Sequence, residues 1–266
     1  MTEPEWQVKT ALVTGGGAGI GREICLALAA QGVAVLACDL DGEAARATVE
    51  SIGESGGSAL AAQGDVSRPT DVEAMFAMAR RELGPLDLAV NNAGLSHPAV
   101  SILDLELEHL ERIYQVDFKG VYLCCREAGR EMTARGRGVV INISSIAGLV
   151  PLPLMAYGPM KAAVNMLTRV LAREWGPRGV RVNAVAPGYV MTPLIQGMIE
   201  SGLRDPGLIL ERTPMNTMLS PQEVAQAVLF LCSPAARHIS GVILPVDAGW
   251  TSDGGWSAYP GMGANR

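Results

Sequence analysis

Apolar residues along the chain fall into two alternating patterns. Short unbroken apolar runs occur at 11–13, 33–38, 58–63, 86–90, 138–143, 180–185 and 242–246, and read as strands. Between them, 20–30, 42–55, 71–83, 105–133, 157–175 and 221–231 carry apolar residues at three- and four-residue spacing, and read as helices. Runs without polar alternation imply strands covered on both faces, as in a parallel sheet. Their regular alternation with helices, with no break in composition, predicts one doubly wound α/β domain spanning 1–266. Its seven-stranded parallel sheet is flanked by helices joined through right-handed crossovers. One stretch, 193–220, breaks the rhythm with scattered Met, Leu and Ile among Gly and Pro. A long irregular segment inside a compact domain predicts a functional element, here a substrate lid. The 251–266 tail, rich in Gly and aromatic residues, is expected to be mobile.

Composition narrows the function classes. The 266 residues are 48% hydrophobic, ample for a core, and carry 21 basic against 27 acidic side chains, a net charge of −6. That balance gives no footing for nucleic acid or an anionic membrane surface. No apolar run reaches spanning length, and residues 1–9 hold two glutamates and no apolar block, so a cytoplasmic protein is expected. The five cysteines show no C-x-x-C spacing and read as reduced core thiols. His97, His109 and His238 lack ligand spacing with them, so no metal site is expected.

The chemistry begins at Thr14-Gly15-Gly16-Gly17-Ala18-Gly19-Ile20-Gly21, between a strand and a helix. Glycines there allow a tight turn and let backbone N–H groups approach a pyrophosphate at the helix's positive end. That makes the domain Rossmann-like. Asp39 closes the second strand, with Leu40 after it and no basic neighbour. A carboxylate at that place accepts from both ribose hydroxyls of NAD and repels the extra phosphate of NADP; a plain turn aspartate is the bland alternative. Tyr157 and Lys161 share one helix face at i, i+4. Lys161 and an oxidised nicotinamide both favour the phenolate of Tyr157, which then serves as general base, or as acid in reverse. A hydroxyl from Ser144 or Ser145 can hold the substrate oxygen. Alone, Tyr-x-x-x-Lys is common by chance.

Together these segments resemble the short-chain dehydrogenase/reductase family over nearly the whole chain. Further matches are Asp65-Val66, Asn91-Asn92-Ala93-Gly94, the run 183–192 with Pro187-Gly188, and Ser240-Gly241 followed by Val246-Asp247-Ala248-Gly249. The resemblance implies that Tyr157 is the acid/base, that Lys161 holds the ribose, and that Ser145 is the catalytic serine, because Ile146-Ala147-Gly148 follows it. It implies a nicotinamide cofactor held by Gly15, Gly17, Gly19, Ile20, Gly21, Asp39, Leu40, Asp65, Val66, Asn92, Ala93, Gly94, Pro187, Gly188, Val190 and Thr192, with Val66 on adenine and Thr192 on the carboxamide. It also implies a homotetramer using the helices at 105–133 and 157–175 and the last helix and strand.

The resemblance breaks at Val116-Asp117-Phe118-Lys119-Gly120, where the family usually has asparagine in place of Asp117. The family asparagine holds a water through its backbone in a proton relay from the lysine. Asp117 keeps that carbonyl and adds a carboxylate near Lys161. The default is a harmless exchange; the sharper expectation is that Asp117 joins the relay and alters the pH optimum.

The substrate is less legible. Leu95, Ser96 and His97 are placed at the pocket's edge, although a lone loop histidine is by default simply solvated. Met155, Tyr189, Met191 and residues of 193–220 are expected to line the rest. Arg204 and Arg212 could meet an anion, with ordinary surface arginines the default. The mix suggests a medium-sized secondary alcohol, polyol or sugar, or the corresponding carbonyl. Reduction of a carbonyl or 3-oxoacyl thioester is a second reading, against which Asp39 counts. A binding protein that kept the fold and lost catalysis is a third, against which Ser145, Tyr157 and Lys161 count. Trp250, Trp256 and Tyr259 are candidates for carrying the tail onto a neighbouring subunit.

Overall fold

A computed structural model describes residues 8–254. Seven strands form one parallel sheet: β1 (Thr10–Thr14), β2 (Ala34–Asp39), β3 (Ala59–Gln63), β4 (Leu88–Asn91), β5 (Gly138–Ile143), β6 (Val180–Pro187) and β7 (Ile243–Val246). Their order is β3-β2-β1-β4-β5-β6-β7. Every residue of β1 and β4 is buried, and the outer strands β3 and β7 are more exposed, as unbroken apolar runs in a sheet's interior require. The strand order reverses between β1 and β4, so their carboxyl ends open a crevice, the place where such sheets bind ligands.

Helices cover both faces. On one, α1 (Gly19–Ala30) and α9 (Pro221–Cys232) bury Ile24, Leu28, Val224 and Val228 against the sheet. On the other, α3 (Pro69–Leu83), α5 (Val121–Arg135) and α6 (Tyr157–Trp175) enclose Phe76, Met132, Val164 and Trp175. Helix α2 (Gly42–Glu54) starts where the Asp41 carboxylate accepts from the N–H groups of Glu43 and Ala44 at 2.9 and 3.2 Å. All five cysteines are buried and unpaired, and burial pushes the thiols of Cys125 and Cys232 up to about 12.

Three expectations need correction. The helix expected over 105–133 is α4 (Leu107–Ile113), a π-helical segment (Tyr114–Gly120) and α5. The wider turn carries the buried Asp117 inward, and Gly120 lets the chain touch Val66; a Cβ there would lie 2.8 Å from that side chain. The 193–220 stretch is not wholly irregular. It holds α7 (Pro193–Glu200) and α8 (Pro206–Glu211), each opened by a side-chain cap followed by proline: Thr192 accepts from Ile195 N at 3.3 Å and Asp205 from Gly207 N at 2.8 Å. Trp250, expected to be available to a neighbouring subunit, is taken up by its own fold. It is buried in its own chain, 5.9 Å from the Tyr189 ring, with the Arg212 guanidinium 4.5 Å above it. Trp256 and Tyr259 lie outside the described residues.

No described helix is long and apolar enough to cross a membrane, and the described residues contain no cluster of metal-ligating side chains.

Helices α5 and α6 approach closely at Gly129, where a Cβ would stand 2.5 Å from the Trp175 ring. Gly129→Ala should therefore displace that ring and cost about 1–3 kcal/mol. Denaturant unfolding followed by tryptophan fluorescence checks this, and an unchanged midpoint would refute so tight a contact.

Candidate active site

A cavity of about 1050 Å³ opens at the carboxyl ends of β1 and β4. Gly15 and Gly19 line one end with left-handed backbone, φ +64° and +52°, and Ile20 follows on α1. Gly17 and Gly21 stand behind this wall. A Cβ on Gly21 would lie 1.9 Å from Gly15 O, so the turn closes only around glycine. Asn92, just past β4, pins the same turn, its side chain donating to Thr14 O and Gly15 O at 3.0 Å each.

Asp39 lies beside the turn, partly exposed to the cavity. Its Oδ2 accepts from Gly17 N at 2.9 Å and its Oδ1 from Asp41 N at 3.0 Å, which fixes the carboxylate. Leu40, Asp65 and Val66 continue that wall, and Ala93 and Gly94 form the floor. Pro187, Gly188, Val190 and Thr192 come in from the end of β6. Gly188 passes so close to Asp247 that a Cβ would lie 2.9 Å from its Cα, and Gly19 faces the Thr192 methyl.

At the other end Ser145, Tyr157 and Lys161 share the wall. The Ser145 side chain accepts from Ala147 N at 3.1 Å. Gly148 lets this segment lie on α6, since a Cβ there would meet the Lys161 carbonyl carbon at 2.7 Å. The neighbouring Ser144 is buried and donates to Lys161 O at 3.3 Å, a supporting contact. The Lys161 ammonium is 5.3 Å from the centre of the Tyr157 ring and donates to Ile143 O at 3.1 Å.

Asp117 does not line the cavity; it lies behind Lys161, fully buried. Its Oδ1 accepts from Leu95 N at 2.8 Å, and its Oδ2 is 3.1 Å from the Lys161 ammonium, an ion pair without an aligned hydrogen bond. Burial acts to lower the Lys161 pKa, but the Asp117 carboxylate, helped by Tyr157, outweighs it and holds the ammonium above its usual value.

The substrate end differs in detail from the expectation. Leu95, Ser96, Tyr189 and Arg204 line the cavity, as do Leu194 and Met198 of the 193–220 stretch, but Met155 and Met191 do not; Leu152 and Leu154 take their place. Arg212 is drawn away by Trp250 and by Asp253, 3.6 Å from its guanidinium. His97 is not solvated but 1% exposed and bound to the start of α6. Sequence patterns also passed over Thr48, whose hydroxyl donates to Gly16 O at 3.0 Å, and the buried chain in which Asn91 donates to Asn142 and Asn142 to Thr168, at 2.8 and 2.9 Å. No spacing rule marks such contacts.

A family model described as enoyl-(acyl carrier protein) reductase matches residues 15–251. The chain is a short-chain dehydrogenase/reductase. Curated relatives of this dehydrogenase/reductase include alcohol and polyol dehydrogenases, among them galactitol 2-dehydrogenase (L-tagatose-forming) of Cereibacter sphaeroides, 40% identical over 91% of this chain and 94% of the other. Among solved structures, a Brucella melitensis 16M protein described as ribose-5-phosphate isomerase is 38% identical with a TM-score of 0.92, covering 98% and 99% of the two chains. A 7α-hydroxysteroid dehydrogenase complexed with NADH and 7-oxo glycochenodeoxycholic acid is 34% identical with a TM-score of 0.86, over 92% and 95%. The protein is thus an oxidoreductase acting on CH–OH groups, and its crevice suits a nicotinamide cofactor.

Lys161→Met should leave the Asp117 charge buried and alone, at a cost of about 3–5 kcal/mol, most of it recovered in Lys161→Met/Asp117→Leu. Because the folded Lys161 pKa is raised, its contribution is complete below the ordinary lysine value of 10.5 and is lost as pH rises through the higher folded value. Denaturation midpoints across alkaline pH check both statements; equal alkaline losses in the wild type and the double variant would contradict the second.

Proposed function

We propose that the protein interconverts a secondary alcohol, polyol or sugar and the corresponding carbonyl, using NAD, with Tyr157 as acid/base. One observation carries this: Tyr157, Lys161 and Ser145 line the same cavity as the glycine turn and Asp39. Bound NAD supplies the carbon that accepts the hydride. The Tyr157 phenolate takes the hydroxyl proton as the carbinol C–H bond breaks, so one alcohol and one oxidised cofactor give a carbonyl, a reduced cofactor and a proton. The Lys161 ammonium stands beside the Tyr157 ring, and the Ser145 hydroxyl steadies the substrate oxygen.

The preference for NAD rests on Asp39. Its carboxylate is fixed by two backbone N–H groups and makes no ion pair among the described residues, so a 2′-phosphate would meet an uncompensated charge. Leu152, Leu154, Leu194 and Met198 offer an apolar wall to the carbon skeleton. A second reading, reduction of a carbonyl or 3-oxoacyl thioester, draws on the family model's description, which names reduction of a related enoyl thioester.

Absorbance of reduced nicotinamide, recorded with a panel of secondary alcohols, polyols and sugars, tests the reading. Turnover with NAD is expected, reduced by about 10²-fold or more in Tyr157→Phe. Turnover with NADP alone would remove the role given to Asp39, and turnover only with thioesters would favour the second reading. Conversion of a sugar phosphate without net absorbance change would instead point to an isomerase.

Asp117 acts in this scheme through Lys161, whose charge it partly offsets. In Asp117→Asn the burial of Lys161 is no longer outweighed, so its ammonium should give up its proton at lower pH and the pH profile of kcat/KM for oxidation should change where that charge is lost. Superimposable pH profiles would reduce Asp117 to a structural partner.

A further inference from the structure

Helix α6 carries Tyr157 in its first turn, yet it lacks the usual means of holding that turn in place. Its N-cap residue is Ala156, whose side chain can accept nothing. The first N–H groups of a helix have no partner within it and ordinarily turn to a Ser, Thr, Asp or Asn at the cap. Ala156 is also fully buried, where an unpaired N–H is costly.

His97 supplies the missing acceptor from far away in the sequence. Its Nε2 lies 3.2 Å from Ala156 N and 3.4 Å from Tyr157 N, and its Nδ1 lies 2.7 Å from Pro98 O. Two N–H donors converge on Nε2 and a carbonyl faces Nδ1, so the ring carries its proton on Nδ1 and leaves Nε2 bare. Only 1% of the residue is exposed.

The segment bearing His97 also reaches the glycine turn and the buried ion pair. Asn92 fastens it to the glycine turn, and Leu95 donates to Asp117 behind Lys161. His97 then fastens it to the backbone of Tyr157 itself. Residues 92–97 therefore form one strut from the cofactor cradle, past the buried ion pair, to the acid/base helix.

We propose that His97 is a positioning residue for Tyr157, capping the first turn of α6 from outside the helix so that the phenol is held in register with the cofactor cradle. The proposal rests on the reading of Tyr157 as acid/base. Displacing a reacting group by about 1 Å can cost about 10²-fold in rate while substrate and cofactor still bind. Loss of the cap should therefore appear in kcat rather than in KM.

The test compares His97→Leu, which keeps bulk and removes the acceptor, with His97→Gln, whose Oε1 can stand where Nε2 stood. In the alcohol assay, His97→Leu should lower kcat by about tenfold to a hundredfold. The KM for NAD should stay within about twofold, because the ring's hydrogen bonds go to Pro98, Ala156 and Tyr157 and to none of the glycine turn or Asp39. His97→Gln should return kcat to within a few-fold of the wild type. Wild-type kcat in His97→Leu, or equal losses in the two variants, would overturn the proposal. Nitrogen–proton correlation spectra of the wild-type imidazole give a second measure that needs neither turnover nor a folded leucine variant. A protonated Nδ1 and bare Nε2 are expected, and a proton on Nε2 would overturn the capping contact. If the wild type turns over no alcohol, the reading of Tyr157 fails, and the spectrum still decides whether His97 caps α6.

Discussion

An ammonium and a carboxylate facing each other out of reach of water govern this side of the molecule. Lys161 and Asp117 are 3% and 0% exposed at the side chain, and neither charge could remain there alone. The pair ties α6 to the π-helical segment, and the bond from Lys161 to Ile143 O ties both to β5. Separating the two charges would leave each buried without its partner, so the pair holds the two segments together beyond what apolar packing supplies. The widened turn at 114–120 belongs to the same constraint, since it brings Asp117 to the interior while its neighbours keep their helical bonds.

The sheet provides the second half of the site. Because the strand order reverses between β1 and β4, the glycine turn and the Asn92–Gly94 segment leave the sheet side by side and part into a crevice. The cofactor end is set mostly by backbone, through glycine conformations and the N–H groups that fix Asp39, with the side-chain amide of Asn92 donating to the turn. The reacting end is set by side chains on α6 and after β5. The two ends meet through residues 92–97, so the cradle and the acid/base residue share one support.

Much of this was legible in the chain. Seven apolar runs became seven strands because a parallel sheet buried on both faces leaves no room for alternation. Gly15, Gly19, Asp39, Tyr157 and Lys161 reached one cavity because each is tied to a strand end or a helix start that periodicity locates. The π-helical turn was not legible, since one extra residue per turn barely disturbs the apolar spacing around Asp117. Helices α7 and α8 were masked by punctuation: Thr192-Pro193 and Asp205-Pro206 read as breaks, although a capping side chain followed by proline also starts a helix. His97 was misjudged because its partners are backbone N–H groups 59 and 60 residues away, and no side-chain pattern records them.

The cysteines have a practical consequence. All five are enclosed, and burial keeps their thiols protonated far into alkaline conditions. Nucleophilic attack by sulfur requires the thiolate and an open approach, and the native protein offers neither. The folded chain is therefore silent toward maleimides and mild oxidants, and a single cysteine introduced on its surface would be the one handle that a fluorophore or cross-linker could find.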